Sequence, residues 1–219
     1  MLFADRGDAG QRLGRRLMDL ALPDPVILAL PRGGVAVAAE VARLLRAPLD
    51  VVLVRKIGAP GHRELAAGAL VDGETPELVL NEDIVHAYRI PPDYLEAERR
   101  EQIREIERRR RLYLGGRPRV PVAGRTAIVV DDGIATGATV RAALRAVRRA
   151  VPRELVLAVP VASPEILDRL AEDADRVVCL YPNPYLASVG EHYRDFTQVE
   201  DAEVVAMLEA AAGRGASAG

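Results

Sequence analysis

The stretch from residue 125 to residue 151 constrains the fold most, because a strand, a loop of small residues and a helix follow one another directly. Residues 125–130 are mainly apolar, which is typical of a strand buried on both faces of a sheet. The helix that follows has an apolar stripe formed by Val140, Leu144, Val147 and Val151. This order places the N–H groups of the first helical turn at the carboxyl end of the strand, where they can bind an anion.

The loop between strand and helix, the second glycine loop, combines two acids, two glycines and two threonines. Its residues are Asp131, Asp132, Gly133, Ile134, Ala135, Thr136, Gly137, Ala138 and Thr139. Glycines let a ligand approach the backbone closely, and threonine hydroxyls add hydrogen-bond donors. The acids repel phosphate, so they suit sugar hydroxyls or a divalent cation instead. The residue types therefore favour a phosphorylated sugar over the alternative of an ordinary capped turn.

Two other phosphate-binding motifs are excluded in this loop. A P-loop requires a lysine after its second glycine, and a dinucleotide fingerprint requires Gly-x-Gly-x-x-Gly. The second glycine loop contains neither pattern.

A similar unit occurs near the start of the chain. The apolar run 26–30 leads into Pro31, Arg32, Gly33 and Gly34, the first glycine loop, and then into a helix over residues 35–46. Further strands are predicted at 49–54, 155–161 and 176–180. Alternating strands and helices indicate an α/β fold with a mainly parallel sheet flanked by helices. Ligands of such sheets bind at the carboxyl ends of the strands.

A basic segment follows the strand at 49–54. Residues 55–64 include Gly58, Pro60 and Gly61, which predict a loop. Its basic residues are Arg55, Lys56, His62 and Arg63. Lys56 is the one lysine in the chain, and lysine offers a mobile point charge where arginine offers a planar fork. We predict a mobile loop that closes over an anionic ligand, with a solvated hairpin as the alternative.

The last predicted strand is followed by an aromatic segment, residues 181–198, which we call the hood. It contains four of the eight aromatic residues of the chain: Tyr181, Tyr185, Tyr193 and Phe196. These rings are candidates to stack on a flat ligand, and a locally packed aromatic cluster is the alternative. Residues 75–120 form an enlarged helical connection with a charged helix over 93–114. A solvated face is favoured for this helix over a homodimer contact.

Composition limits the classes of function. A length of 219 residues fits a single domain, with a core over about 25–180, the helical connection, the hood and a C-terminal helix. The formal net charge of −2 gives no support for nucleic-acid or membrane binding. The single cysteine, Cys179, excludes a disulfide within the chain. With no signal peptide or long apolar span, a cytoplasmic protein is expected.

The second glycine loop, with residues 129–139, resembles the 5-phosphoribosyl 1-pyrophosphate (PRPP) signature of the type I phosphoribosyltransferases. The resemblance covers most of residues 25–196 and implies their Rossmann-like fold. It implies that Asp131 and Asp132 hold the ribose hydroxyls and that residues 133–139 hold the 5-phosphate. The first glycine loop resembles the family's pyrophosphate loop, which binds through backbone N–H groups and often has a cis peptide. The basic segment resembles the flexible catalytic loop, and the hood corresponds to the part that recognises the acceptor base.

The implied activity is Mg²⁺-dependent transfer of the 5-phosphoribosyl group from PRPP to a nucleobase or a similar nitrogen ring, as in nucleotide metabolism. Lys56, Asp131 and Asp132 are the predicted catalytic residues. The metal is expected to be carried mainly by PRPP, near the two acids. Ala135 stands where the hypoxanthine–guanine branch has an aspartate base, which argues against that branch. A non-catalytic PRPP sensor and a phosphatase with an aspartate nucleophile are the alternatives.

Overall fold

A computed structural model describes residues 3–72 and 76–216. Within these ranges, helices and strands alternate along most of the chain. The helices are α1 Arg6–Met18, α2 Gly33–Leu45, α3 Glu82–Ala87, α4 Pro92–Leu114, α5 Ala138–Arg149, α6 Pro164–Leu170 and α7 Asp201–Ala216. The strands are β1 Pro25–Ala29, β2 Leu49–Val51, β3 Val54–Ala59, β4 His62–Val71, β5 Glu77–Leu80, β6 Thr126–Val130, β7 Glu154–Ala162 and β8 Arg176–Pro182.

Five strands form a parallel sheet in the order β2-β1-β6-β7-β8, which confirms the predicted fold class. Successive side chains of a strand point to opposite faces, and both faces of this sheet are covered. In β1, Ile27 packs into one core cluster with α1, α2 and α7, whereas Leu28 packs into another with α5. Burial on both faces explains why the strands are continuous apolar runs rather than alternating ones.

A second sheet of three antiparallel strands, β3-β4-β5, contains the basic segment and corrects its predicted conformation. Arg55 and Lys56 lie in β3, not in a loop, and only Pro60 and Gly61 form the turn. The pairing of β3 with β4 is irregular at Gly58. Side chains on one face of this hairpin, such as that of Ile57, are fully buried, so burial and pairing outweigh the glycine signal.

The strands β4 and β5 form a second antiparallel pair, in which Val71 of β4 pairs with Glu77 of β5. Residues 73–75, between these two strands, lie outside the described residues. The charged helix α4 buries few side chains, namely Leu95, Ile106, Tyr113 and Leu114. Its exposed face carries intrahelical ion pairs, such as Glu105 with Arg108 at 2.8 Å. In the described ranges, no helix is both long enough and apolar enough to cross a membrane.

Candidate active site

The two glycine loops meet because the strands before them are neighbours. Ala29 at the end of β1 pairs with Val130 at the end of β6. The first glycine loop therefore lies against the acids of the second. A Cβ atom on Gly33 would lie 2.0 Å from Oδ2 of Asp132, and one on Gly34 would lie 2.9 Å from the carbonyl oxygen of Val130. Only residues without a side chain allow this close approach.

The first glycine loop forms the start of α2. The peptide bond between Pro31 and Arg32 is cis, a feature that the family resemblance led us to expect. Arg32 occupies the N-cap position of α2, and its side chain forms no capping hydrogen bond. Its guanidinium lies 3.5 Å from a carboxylate oxygen of Glu200, and both groups are partly exposed. The N–H groups of Gly33 and Gly34 are therefore in the first turn of a helix without a side-chain cap.

The second glycine loop is held against β7 and the hood. The N–H of Ile134 donates to the carbonyl of Val161 at 2.9 Å. A Cβ atom on Gly133 would lie 2.5 Å from Cγ1 of Val189 in the hood. Gly137 has a positive φ of 79° and occupies the N-cap position of α5 without a side-chain cap. Its neighbours toward solvent, Ala135, Thr136, Ala138 and Thr139, are exposed.

These features make the start of α5 a second place where backbone N–H groups face outward. Helix N-termini without a side-chain cap bind anions through these N–H groups and through the helix dipole. The start of α2 has the same character and lies against the acid pair. The arrangement gives two candidate anion sites next to two carboxylates.

The two acids are electrostatically unequal. Burial and then the neighbouring Asp132 carboxylate raise the pKa of Asp131 well above its usual value. Oδ1 of Asp131 also accepts a hydrogen bond from the N–H of Asp132 at 2.9 Å. Asp132 instead forms an ion pair with Arg6, whose Nε lies 2.7 Å from Oδ2. One carboxylate thus has a cationic partner, and the other is destabilised in its charged form.

Arg6 is a residue of the site that the sequence did not indicate. Arg6 is the first residue of α1 and follows Asp5, the N-cap, so it looks like an ordinary residue of a helix start. Its Nη1 donates to the carbonyl of Thr197 at 2.7 Å, and its guanidinium carbon lies 3.9 Å from the centroid of the Phe196 ring. Arg6 and Asp132 are 126 positions apart, so no local pattern could reveal the contact.

Of the basic segment, the structure places Lys56 beside the site. Its exposed side chain borders a cavity of about 70 Å³, together with Ala138 and Thr139 at the start of α5. Arg55, which points to the opposite face of β3, bonds through Nε to Oε1 of Gln102 in α4 at 3.0 Å. In this structure Arg55 therefore contacts α4, and a role of Arg55 in ligand binding stays a prediction.

The other two basic residues lie at the turn of the hairpin. His62 is exposed, and its ring centroid lies 5.9 Å from that of Tyr88. The side chain of Arg63 lies outside the described part of the chain. A role for His62 and Arg63 in closing over a ligand stays a prediction.

The structure corrects the aromatic prediction for one residue of the hood, Tyr193. Tyr193 is only 5 % exposed and donates its hydroxyl to the backbone oxygen of Asp132 at 2.5 Å. Burial raises its pKa, and the charge of Asp132 raises it further. Its ring packs between Phe3 and Phe196, at centroid distances of 5.4 and 5.0 Å. Tyr193 cannot stack on a ligand, and the ring of Phe196 is covered by Arg6 on one face.

A role for Phe196 in stacking stays a prediction, and the other two rings of the hood are exposed. Tyr181 and Tyr185 are 38 % and 89 % exposed. The hood therefore has a packed part, which supports the acid pair, and an exposed aromatic part, where an acceptor could bind.

Comparisons with known proteins agree with this geometry. The model of the phosphoribosyl transferase domain matches residues 12–193. The chain belongs to the phosphoribosyl transferase family. Within this family, it is 48 % identical over 210 residues to proteins from two strains of Mycobacterium tuberculosis, CDC 1551 and H37Rv, which carry the provisional name phosphoribosyl transferase. The match covers 96 % of this chain and 47 % of each relative, so the chain spans about half their length.

The fold is also shared with a solved relative. The crystal structure of TT1426 from Thermus thermophilus has 47 % sequence identity and a TM-score of 0.82. The alignment covers 95 % of this chain and 98 % of TT1426. The expected phosphoribosyltransferase-like fold is thus confirmed, whereas the branch of the family stays unspecified.

Proposed function

We propose that this protein transfers the 5-phosphoribosyl group from PRPP to a nitrogen-ring acceptor and releases pyrophosphate. The observation that carries the proposal is the contact between Gly33 and the Asp132 carboxylate, which joins the two glycine loops. It brings the start of α2 against the acid pair, which the second glycine loop connects to the start of α5, and neither helix has a side-chain cap. PRPP has a matching layout, with a phosphate at one end, a diol in the middle and pyrophosphate at the other end.

Each part of PRPP has a counterpart in the site. The exposed residues of the second glycine loop would bind the 5-phosphate with backbone N–H groups and the hydroxyls of Thr136 and Thr139. The carboxylates of Asp131 and Asp132 would accept hydrogen bonds from the ribose hydroxyls. The backbone of the first glycine loop would bind the pyrophosphate. This assignment puts each carboxylate near hydroxyls and each N–H group near phosphate oxygens.

The chemistry follows from this placement. When the bond from C1 of ribose to pyrophosphate breaks, positive charge develops on the sugar and negative charge on the leaving group. Fixed donors aimed at the leaving group lower the barrier without reorganising. Holding the sugar and the acceptor in line supplies a further part of the rate enhancement. Lys56, at the cavity next to the start of α5, would neutralise phosphate charge during turnover.

The donor set also fits Mg²⁺ held mainly by the substrate. Mg²⁺ prefers oxygen ligands and is commonly bound by one or two carboxylates together with substrate phosphates. Asp131 and Asp132 provide such carboxylates, and no group of three or more His, Cys, Asp or Glu side chains in the described ranges could hold a metal. When bound, the metal would neutralise charge on the departing pyrophosphate.

The acceptor is best sought with a pyrophosphate-release assay. PRPP and Mg²⁺ would be incubated with the protein and a panel of nucleobases, amines and pyridine carboxylates. We expect at least one acceptor to stimulate release, and we expect Tyr181→Ala or Tyr185→Ala to raise the KM for that acceptor. PRPP that binds but is not cleaved with any acceptor would contradict the transferase and favour a PRPP sensor.

A further inference from the structure

Arg6 makes three contacts that converge on the candidate site. Its Nε bonds to Oδ2 of Asp132, its Nη1 bonds to the carbonyl of Thr197, and its guanidinium lies on the Phe196 ring. The residue precedes the range 12–193 that the family model covers.

The contact between Arg6 and Asp132 is largely shielded from water. Their side chains are 11 % and 15 % exposed, and the distance of 2.7 Å is typical of a charge-assisted hydrogen bond. Exposed ion pairs are weakened by solvent and contribute little, whereas a shielded, hydrogen-bonded pair fixes the orientation of both groups. The planar guanidinium of Arg6 can hold Asp132 and the carbonyl of Thr197 at the same time, because its N–H groups form a rigid fork.

The position of Asp132 is restrained at its backbone oxygen and at one oxygen of its carboxylate. The hydroxyl of Tyr193 holds its backbone oxygen. Gly33 lies against Oδ2, so close that a Cβ atom there would also come within 3.0 Å of Nε of Arg6. Arg6 therefore supplies the restraint on the carboxylate itself, and Gly33 supplies the space.

We propose that Arg6 is a positioning residue for ribose recognition, which orients the Asp132 carboxylate and ties it to the hood. Because Arg6 donates a hydrogen bond to Oδ2, the other carboxylate oxygen, Oδ1, would accept the hydrogen bond from a sugar hydroxyl. Through Thr197 and Phe196, the same guanidinium links the acid pair to the segment that carries the candidate acceptor surface. This inference rests on the proposed function, since it assumes that Asp132 binds the ribose hydroxyls.

The test separates the two halves of PRPP. In the proposed assignment, ribose 5-phosphate needs Asp132, whereas pyrophosphate without Mg²⁺ needs only the first glycine loop. Binding of ribose 5-phosphate, of pyrophosphate without Mg²⁺ and of PRPP with Mg²⁺ would be measured by calorimetry for the wild type, Arg6→Met and Arg6→Lys. We expect Arg6→Met to raise the Kd of ribose 5-phosphate and PRPP by about ten- to a hundredfold, the effect of a binding group displaced by about 1 Å. The Kd of pyrophosphate should stay within about twofold.

Arg6→Lys should fall between the wild type and Arg6→Met, because lysine restores the charge but not the fork. Arg12→Met is a matched control on the same helix, since Arg12 forms an ion pair with Asp8 and lies over the Phe3 ring. It should leave all three affinities unchanged. If Arg6→Met does not fold, the split between the two ligands is read from Arg6→Lys.

The outcomes distinguish this inference from the proposed function. Wild-type protein that binds neither ribose 5-phosphate nor PRPP would overturn both. Wild-type protein that binds them, with Arg6 variants that bind ribose 5-phosphate equally well, would overturn the inference alone. An equal loss of ribose 5-phosphate and pyrophosphate affinity would show general damage to the site and would also overturn it.

Discussion

Replacing Gly33 by alanine should damage the site while leaving the rest of the fold intact. The added Cβ atom would lie 2.0 Å from Oδ2 of Asp132, and real Cβ atoms essentially never come closer than 3.0 Å to another heavy atom. The carboxylate must therefore retreat by about 1 Å. Since Oδ2 is also the atom that bonds to Arg6, the retreat must weaken that ion pair.

The size of the effect follows from these contacts. A hydrogen bond to a charged group contributes about 1.5–3 kcal/mol. Alanine is favoured over glycine in a helix by about 1 kcal/mol, which offsets part of the loss. We expect a net loss of about 0.5–2 kcal/mol in the free energy of unfolding, or a melting temperature lower by about 1–8 °C. A displacement of 1 Å in a binding group lowers function by about a hundredfold, so PRPP affinity should fall by about ten- to a hundredfold.

Calorimetry with PRPP and Mg²⁺, together with thermal denaturation, would measure both quantities. Gly213→Ala is the control, because Gly213 is exposed in α7 and a Cβ atom there meets nothing within 4 Å. The control should keep wild-type affinity and gain slightly in stability. Gly33→Ala protein that binds PRPP as tightly as the wild type would refute the claim that the contact with Asp132 shapes the site.

Four further predictions concern single side chains. Lys56→Ala should keep PRPP binding but lower pyrophosphate release by about a hundredfold, and unchanged turnover would contradict its role. Because burial and the adjacent carboxylate raise the pKa of Asp131, its ionisation destabilises the fold, so Asp131→Asn should raise the melting temperature by a few degrees at neutral pH. This gain should shrink as the pH falls through the raised pKa. Asp175→Asn should instead lower the melting temperature at neutral pH, because the hydrogen bond from Arg148 lowers the pKa of Asp175. The stability that the charge of Asp175 provides is lost as the pH falls through the lowered pKa. Tyr193→Phe should lower the free energy of unfolding by about 1 kcal/mol in urea denaturation, and an unchanged value would deny its hydroxyl a supporting role.

The parallel sheet and the meeting of the two glycine loops were predictable from local patterns. Buried parallel strands read as continuous apolar runs, and glycine loops followed two of them. Since the carboxyl ends of neighbouring parallel strands lie at one edge, the loops after residues 29 and 130 had to be close if β1 and β6 were neighbours. For the meeting of the two loops, the sequence left open whether β1 and β6 are neighbours, and the structure shows that they pair.

The basic segment shows where local signals mislead. Gly58 and Pro60 are loop formers, so the sequence predicted a loop over residues 55–64. In the fold, Ile57 and Ala59 are fully buried, and β3 pairs with β4 along most of its length. Pairing with a partner strand and burial against α4 decide the conformation here, and neither is visible within the segment itself.

Arg6 and Tyr193 show a different limit. Arg6 contacts Asp132 across 126 positions, and Tyr193 contacts its backbone across 61. Arg6 looks like an ordinary residue of the first turn of α1, and Tyr193 looks like a candidate for stacking on a ligand. Their roles depend on Phe3, which pairs with Tyr193 and brings the start of the chain to the hood. Contacts of this kind are set by tertiary structure alone.

The account depends most directly on PRPP binding at the paired glycine loops. Titration of the wild-type protein with PRPP in the presence of Mg²⁺, followed by calorimetry, tests it in one measurement. We predict a Kd between about 1 μM and 1 mM, the range typical of enzyme substrates, with an increase in melting temperature at saturation. No heat of binding and no thermal stabilisation at millimolar PRPP would contradict the central claim.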